Sequence, residues 1–341
     1  MRLFIFIAFM VAIFILGPCE WISRKCEYII FVVETKILRR RSKKPISVNY
    51  HLTRRCNYAC GFCFHTAKTS NTLSLEDAMI GLAILKDAGM RKLNFAGGEP
   101  FLEKELLGEL MKFCKEALKL ESVSVVTNGS LVTDAFLKKY GQYLDIMAVS
   151  CDSFNDRTNA LIGRGTGKHL VHVRRAAALC QKYGIKFKLN TVVNKYNWNE
   201  NMNQYIQELK PFRWKCFQCL QLASENGGGD ESLRDVSEYL ITDSQFKEFC
   251  DRHKHNKCFL PENNLAMINS YLILDESMCF LDKDAKVKSQ SILDVSVQEA
   301  LKEVRWDTDQ FLARDAIYDW QRNAKAHKQG CGDDKQAKNL E

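Results

Sequence analysis

From residue 47 onward, apolar and polar positions fall into two alternating rhythms. Short runs rich in β-branched and aromatic residues occupy 47–52, 92–95, 123–127, 146–150, 186–193 and 213–220. Among them lie longer stretches, 75–88, 105–118 and 170–183, whose apolar residues recur every three to four positions. Strand and helix in such succession predict an α/β fold with a parallel sheet or barrel, because each crossover helix returns the chain to the same end of the sheet. Ser74, with Asp77 three positions on, reads as a helix start of the capping-box kind, and Gly89 reads as that helix's stop. The segment joining the first strand to this helix is therefore expected on the face where a βα barrel keeps its chemistry.

In two of the strands the polar side of the alternation is basic. Lys186, Lys188 and Asn190 share one face of the fifth run, against Phe187, Leu189 and Thr191 on the other; in the sixth, Arg213, Lys215 and Phe217 oppose Trp214 and Cys216. Asn49 and His51 on the first run and Lys92 and Asn94 on the second extend this polar set. The apolar partners pack against outer helices, which turns the basic residues into the barrel. Like charges gathered there are costly unless an anion compensates them, so a polyanionic ligand is expected at Lys188, Arg213 and Lys215. The alternative is that each sits near a strand end and reaches solvent.

Composition adds an ordinary globular balance over 341 residues, with a formal charge of +8 that suits a phosphorylated small molecule, a nucleic acid or an anionic membrane face equally. Fourteen cysteines scattered through helix-like and strand-like segments argue against a small disulfide scaffold and for a reducing compartment. Behind Arg2, residues 3–16 are almost unbroken in apolarity, yet shorter than the roughly 20 residues a bilayer-spanning helix needs. Basic residues follow at Arg24, Lys25, Lys36, Arg39, Arg40, Arg41, Lys43 and Lys44, which by the positive-inside tendency puts the main domain in the cytosol. The expected organisation is a membrane-associated anchor and basic linker over 1–45, a barrel core over 46–222 and a less regular C-terminal region over 223–341. A cleaved signal is the alternative for the first segment.

The loop after the first strand carries Cys56, Cys60 and Cys63 in the spacing C-x3-C-x2-C. Three protein thiolates on a 4Fe-4S cluster leave one iron open to the amino and carboxylate groups of a methionine moiety, so that a sulfonium can be reductively cleaved to a 5′-deoxyadenosyl radical. A zinc site or incidental cysteines is the other reading. After the second strand comes Gly97-Gly98-Glu99-Pro100, in which two glycines allow close backbone approach to a ligand and the Glu99 carboxylate can accept from an ammonium. Cys216-x-x-Cys219 lies in a strand, where its thiols diverge, and is expected in the core. The cluster His253-Lys254-His255 is expected at the surface.

Together the cysteine loop and the Gly-Gly-Glu-Pro turn resemble the radical SAM (S-adenosylmethionine) superfamily. The strings Val48-Asn49-Tyr50-His51, Cys60-Gly61-Phe62-Cys63-Phe64-His65-Thr66-Ala67-Lys68-Thr69-Ser70, Ser150-Cys151-Asp152-Ser153-Phe154 and Ser270-Tyr271-Leu272-Ile273-Leu274-Asp275-Glu276 resemble the viperin family within it, over about 47–320. The resemblance implies a partial (βα)6 TIM-like barrel with an N-terminal membrane-associated helix and a C-terminal extension, a 4Fe-4S cluster on Cys56, Cys60 and Cys63, and S-adenosylmethionine. It implies an antiviral enzyme that converts CTP to 3′-deoxy-3′,4′-didehydro-CTP by abstracting the ribose 4′ hydrogen and losing the 3′ hydroxyl as water. Alternatives are another nucleotide or a peptide as substrate, or a membrane-bound scaffold.

By the same resemblance Gly97, Gly98, Glu99, Ser150 and Arg164 face the cofactor; Asn128, just beyond the third strand, is expected near the cofactor or as the cap of the following helix. Asn49, Lys92, Lys188, Asn190, Arg213, Lys215, Tyr271 and Arg314 face the nucleotide, with Tyr271 also catalytic. The implied setting is the cytosolic face of the endoplasmic reticulum membrane and lipid droplets, with iron-sulfur assembly and electron-donor proteins as partners and no nucleic acid. Members of the family typically end in a tryptophan read by the cytosolic assembly machinery, whereas this chain continues past Trp320.

Overall fold

The computed structural model describes residues 44–64, 71–222, 225–229, 232–267, 270–282, 287–313 and 316–322. The expected anchor over 1–45 falls almost wholly outside them, as do Arg314 and residues 65–70 of the cysteine loop's flank. Among the described residues no helix is long and apolar enough to cross a membrane.

Six strands appear where the apolar runs predict them: β1 Ser47–Thr53, β2 Lys92–Gly97, β3 Ser122–Thr127, β4 Ile146–Ser150, β5 Lys186–Val193 and β6 Arg213–Gln218. They pair in chain order and in parallel, with Lys92 level with Ser47 and Arg213 level with Lys188. The crossovers include α1 Leu75–Asp87, α2 Lys104–Glu116, α3 Asp134–Tyr140, α4 Asp156–Ile162, α5 His169–Tyr183 and α6 Asn203–Leu209. Ser74 caps α1 by accepting from the Asp77 N–H at 3.1 Å and donates back to the Asp77 carboxylate at 2.8 Å, so the reciprocal bond to the cap's own N–H is not made. Gly89 follows the end of α1 at φ +106°, a conformation that favours glycine.

The wall extends beyond the six strands read from the sequence. After α7 Asp243–His253, β7 Phe259–Glu262 joins β6 in parallel, and β8 Ile273–Leu274 joins β1 in parallel on the opposite flank. The antiparallel strands β9 Cys279–Leu281 and β10 Lys288–Ser291 continue outward from β8. In the sheet order β10-β9-β8-β1-β2-β3-β4-β5-β6-β7 the two flanking parallel strands do not pair with each other, so the barrel has a seam between β7 and β8. These strands are two to four residues long and lack a period that a sequence reading can catch.

Outer faces of the strands are apolar. Val48, Tyr50 and Leu52 of β1, Leu93 and Phe95 of β2, Leu189 of β5 and Trp214 of β6 are fully buried and form the layer under the helices. Trp214 meets Phe249 and His253 of α7 edge-on, and Cys216 is buried on the same side. His253 is thus a correction to the surface expected of that cluster. Its ring is buried, accepting from the Met202 N–H at 3.0 Å and donating to the Phe249 carbonyl at 2.8 Å. Two backbone partners let a polar ring lie in the core.

Candidate active site

Cys56, Cys60 and Cys63 lie on the loop leaving β1, at the C-terminal end of the strands, and all three are free thiols. The loop is fastened to the end of α4 by backbone bonds from Ala59 to Gly163 and from Gly61 to Ile162, both 3.1 Å. Gly163, at φ +85°, has room for no side chain, because a Cβ there would overlap the Ala59 carbonyl. Cys60 packs with Phe62, Ile162, Cys219 and Val236, and burial pushes its thiol up to about 12, with Arg164 pulling the other way. Cys56 and Cys63 are half-buried; Cys63 packs against the same apolar group and borders the barrel cavity.

No three His, Cys, Asp or Glu side chains among the described residues converge closely enough to hold a single metal ion. An iron-sulfur cluster takes each thiolate on a different iron and needs no common point. Three free thiols on one short docked loop, with a cationic Arg164 beside them to balance thiolate charge, are a donor set that fits such a cluster.

Gly97-Gly98-Glu99 runs beside this loop. Gly98 N–H bonds the Thr53 carbonyl at 2.7 Å and Glu99 N–H the Arg55 carbonyl at 2.8 Å, and a Cβ on Gly98 would overlap that Arg55 carbonyl. The Glu99 carboxylate, expected to face a ligand, is 1% exposed and accepts from Phe101 N–H at 3.1 Å, Thr127 hydroxyl at 2.7 Å and Asn128 N–H at 2.7 Å. It ties the top of β2 to the top of β3. Burial raises its pKa to about 7, against the pull of those three donors. Asn128 gives its amide to Asn57 of the cysteine loop at 2.8 Å, while Thr133 caps the next helix.

Arg164 is buried against Asp152 at 2.6 Å and lies 5.7 Å from the Phe62 ring. Ser150 borders the same space, its carbonyl held by His169 at 2.8 Å. Asp152 was not read from the sequence, since its partner lies across a loop.

Below this rim a cavity of about 370 Å³ fills the barrel. Asn49, His51, Lys92, Asn94, Ser124, Lys188, Asn190, Lys215 and Tyr271 border it, each on the inner side of the strand alternation or on the connection before β8. Asn94 donates to Asn49 at 2.9 Å and receives from Ser124 at 2.9 Å, making a polar belt across three strands. The Asn190 side-chain oxygen Oδ1 is buried and has no partner among the described residues.

The cations differ from one another. Lys92 donates to the Tyr318 hydroxyl at 3.1 Å. Lys215 pairs with Glu262 of β7 and donates to Tyr271 at 3.0 Å. Arg213 does not border the cavity, because the Tyr318 ring covers it. Lys188 makes no hydrogen bond or ion pair among the described residues, and burial, then Lys215 and Lys92, hold its ammonium well below the usual lysine range. Tyr318 and Glu262 are site residues that no sequence pattern flagged; each meets its partner across a long separation in sequence.

Two further ionic contacts lie near the rim, of which the one to Glu225, on the loop after β6, crosses the seam and the one to Glu276 joins the paired strands β1 and β8. Arg54, just beyond β1, reaches Glu225 at 3.2 Å and Glu276 at 3.0 Å, all three buried.

The sequence pattern of the radical SAM superfamily matches residues 50–206. Over 282 residues the chain is 51% identical to the S-adenosylmethionine-dependent nucleotide dehydratase RSAD2 of Danio rerio, covering 81% of this chain and 78% of that protein. It is 48% identical over 314 residues to the protein of the same description from Siniperca chuatsi, covering 89% and 88%. Among solved structures, Streptococcus suis SuiB bound to S-adenosylmethionine shares the fold, with a TM-score of 0.60 over 87% of this chain and 73% of that one at 14% identity.

Proposed function

The chain belongs to the S-adenosylmethionine-dependent nucleotide dehydratases of the radical SAM superfamily, and from that premise we propose that its substrate is CTP. The product is 3′-deoxy-3′,4′-didehydro-CTP, formed by removal of the ribose 4′ hydrogen as an atom, loss of the 3′ hydroxyl as water and uptake of one further electron, from an electron-donor protein or reductant, and one proton. Cys56, Cys60 and Cys63 would hold the 4Fe-4S cluster, and the Gly97-Gly98 backbone, Ser150 and Arg164 would face S-adenosylmethionine. When bound, cluster and S-adenosylmethionine supply a carbon-centred radical able to take an unactivated hydrogen.

The chain's own residues do the rest. The Asn49–Asn94–Ser124 belt and the Asn190 side-chain oxygen offer donors and acceptors for ribose hydroxyls. Lys92, Lys188 and Lys215 offer charge to phosphates. The Tyr271 hydroxyl, on the cavity wall, is placed to hold or give a proton.

The observation that carries this reading is Lys188. A lysine turned into a cavity beside two other lysines, with no ion-pair partner among the described residues and with nearby Glu262 already engaged by Lys215, keeps its charge only when a ligand brings a negative one. A nucleoside triphosphate does so; a neutral peptide does not. The test is anaerobic reconstitution followed by mass spectrometry of products from S-adenosylmethionine, reductant and a panel of CTP, UTP, ATP and GTP. Dehydration of CTP supports the reading, and 5′-deoxyadenosine formation indifferent to nucleotide would overturn it. An antiviral role at the cytosolic face of the endoplasmic reticulum and on lipid droplets, through residues 1–45, belongs to the same proposal. So do iron-sulfur assembly and electron-donor proteins as partners.

A further inference from the structure

Glu262 is the last residue of β7 and is 4% exposed. One of its carboxylate oxygens takes the Lys215 ammonium from the neighbouring strand, and the other accepts the Tyr271 hydroxyl at 2.5 Å. Lys215 also donates to the Tyr271 oxygen at 3.0 Å, which closes a three-membered ring of contacts. Lys215 and Tyr271 border the cavity; Glu262 does not, and stands behind them. Tyr271 lies on the far side of the seam, two residues before β8, so the ring spans two strands that share no backbone bonds.

The geometry points to Glu262 as a positioning residue for turnover, which fixes the Lys215 ammonium and the Tyr271 hydroxyl relative to each other across the seam without touching substrate. The inference rests on the nucleotide reading above. Its physical content is a division of labour. A carboxylate behind the wall neutralises part of the cavity's positive charge and so adds nothing to the attraction of a triphosphate. What it supplies is orientation: two polar groups from opposite flanks of an open barrel are held in one geometry, and small displacements of such groups are costly to rate. Removing its charge should therefore spare binding and reduce turnover. Removing the Lys215 charge should weaken binding.

The test uses the full-length holoenzyme with Glu262→Gln, Glu262→Asp and Lys215→Ala in parallel, reading the calorimetric Kd for CTP, kcat for product and S-adenosylmethionine cleavage without nucleotide. For Glu262→Gln the expectation is a Kd within about threefold of wild type, or tighter, and a kcat lower by at least roughly tenfold. Glu262→Asp, which keeps the charge but reaches one partner rather than two, should recover part of kcat. Cleavage without nucleotide should be unchanged in both. A wild-type kcat in Glu262→Gln overturns the inference, as does a rise in Kd matching that of Lys215→Ala. Loss of cluster or fold in both Glu262 variants also overturns it, making Glu262 a strut for the sheet. Failure of the wild-type protein to bind any nucleoside triphosphate would instead sink the nucleotide reading, and that is seen before a variant is made.

Discussion

The Arg213 guanidinium lies 3.8 Å from the centre of the Tyr318 ring, and the hydroxyl of that ring takes a hydrogen bond from Lys92 at 3.1 Å. One side chain from the last described segment thus holds two cations at the lower end of the bore. The segment is pinned by Ser122 donating to the Trp320 carbonyl at 3.1 Å and by Arg322 donating to the carbonyls of Gly141 and Tyr183.

Tyr318→Leu should remove both contacts, and a desolvated cation–π pair of this kind contributes on the order of 2 kcal/mol. Tyr318→Phe keeps the stacked ring and loses one hydrogen bond, a change of about 1 kcal/mol. Denaturant melts of the two variants should fall in that order below wild type. Equal stability for Leu and Phe would mean that the stacking is idle.

Lys188→Met should stabilise the nucleotide-free protein while weakening CTP binding roughly tenfold to hundredfold, the loss expected for one charge-assisted contact. The sign with pH follows from the depressed lysine. Between its folded pKa and the ordinary 10.5 the unfolded chain holds a proton that the folded protein does not, so wild-type stability rises with pH there. The variant lacks that slope, and its advantage shrinks as pH climbs toward 10.5. Nucleotide binding to wild type should also take up a proton, seen as a buffer-dependent enthalpy. Identical enthalpies across buffers of different ionisation heat would contradict it.

Glu99 gives the opposite slope. With a folded pKa of about 7 against 4.5 in the unfolded chain, the folded protein holds the extra proton between these values, and its stability falls as pH rises through the window. Glu99→Gln removes the slope and sets an amide N–H against the Asn128 N–H, a loss of about 1–3 kcal/mol. Urea titrations should find the gap between wild type and variant wider at pH 5 than at pH 8.

Cys60→Ala leaves the cluster one thiolate short and removes one sulfur from a small apolar group of Phe62, Ile162, Cys219 and Val236. A folded protein without the brown chromophore and without S-adenosylmethionine cleavage is expected. Normal iron content would refute the assignment of Cys60 as a ligand.

What could be read in advance was whatever repeats locally. The alternation in β5 is reproduced residue by residue, with Phe187, Leu189 and Val193 buried and Lys188 and Asn190 on the cavity. What could not be read depends on partners far along the chain. Arg213 obeys the alternation yet is roofed by Tyr318, and the bonds that tie the Glu99 carboxylate to Thr127 and Asn128 join two strand tops with no local signal. His253 misleads because its charged neighbours suggest solvent, while its own nitrogens are matched to backbone groups on two helices' ends. The short strands β7 and β8 carry no period at all.

A ring cut at one point behaves unlike a closed hoop. In a closed barrel the bore follows from strand number and stagger, and every change of diameter must strain the backbone ladder all the way round. Here the flanking parallel strands β7 and β8 are free of each other's backbone, and the gap is spanned by side chains, Arg54 to Glu225 and Glu262 to Tyr271. Bore width is thereby a property that single substitutions can tune while the sheet's hydrogen bonds stay as they are. A chain built this way can take in a bulkier or slimmer guest by changing a clasp.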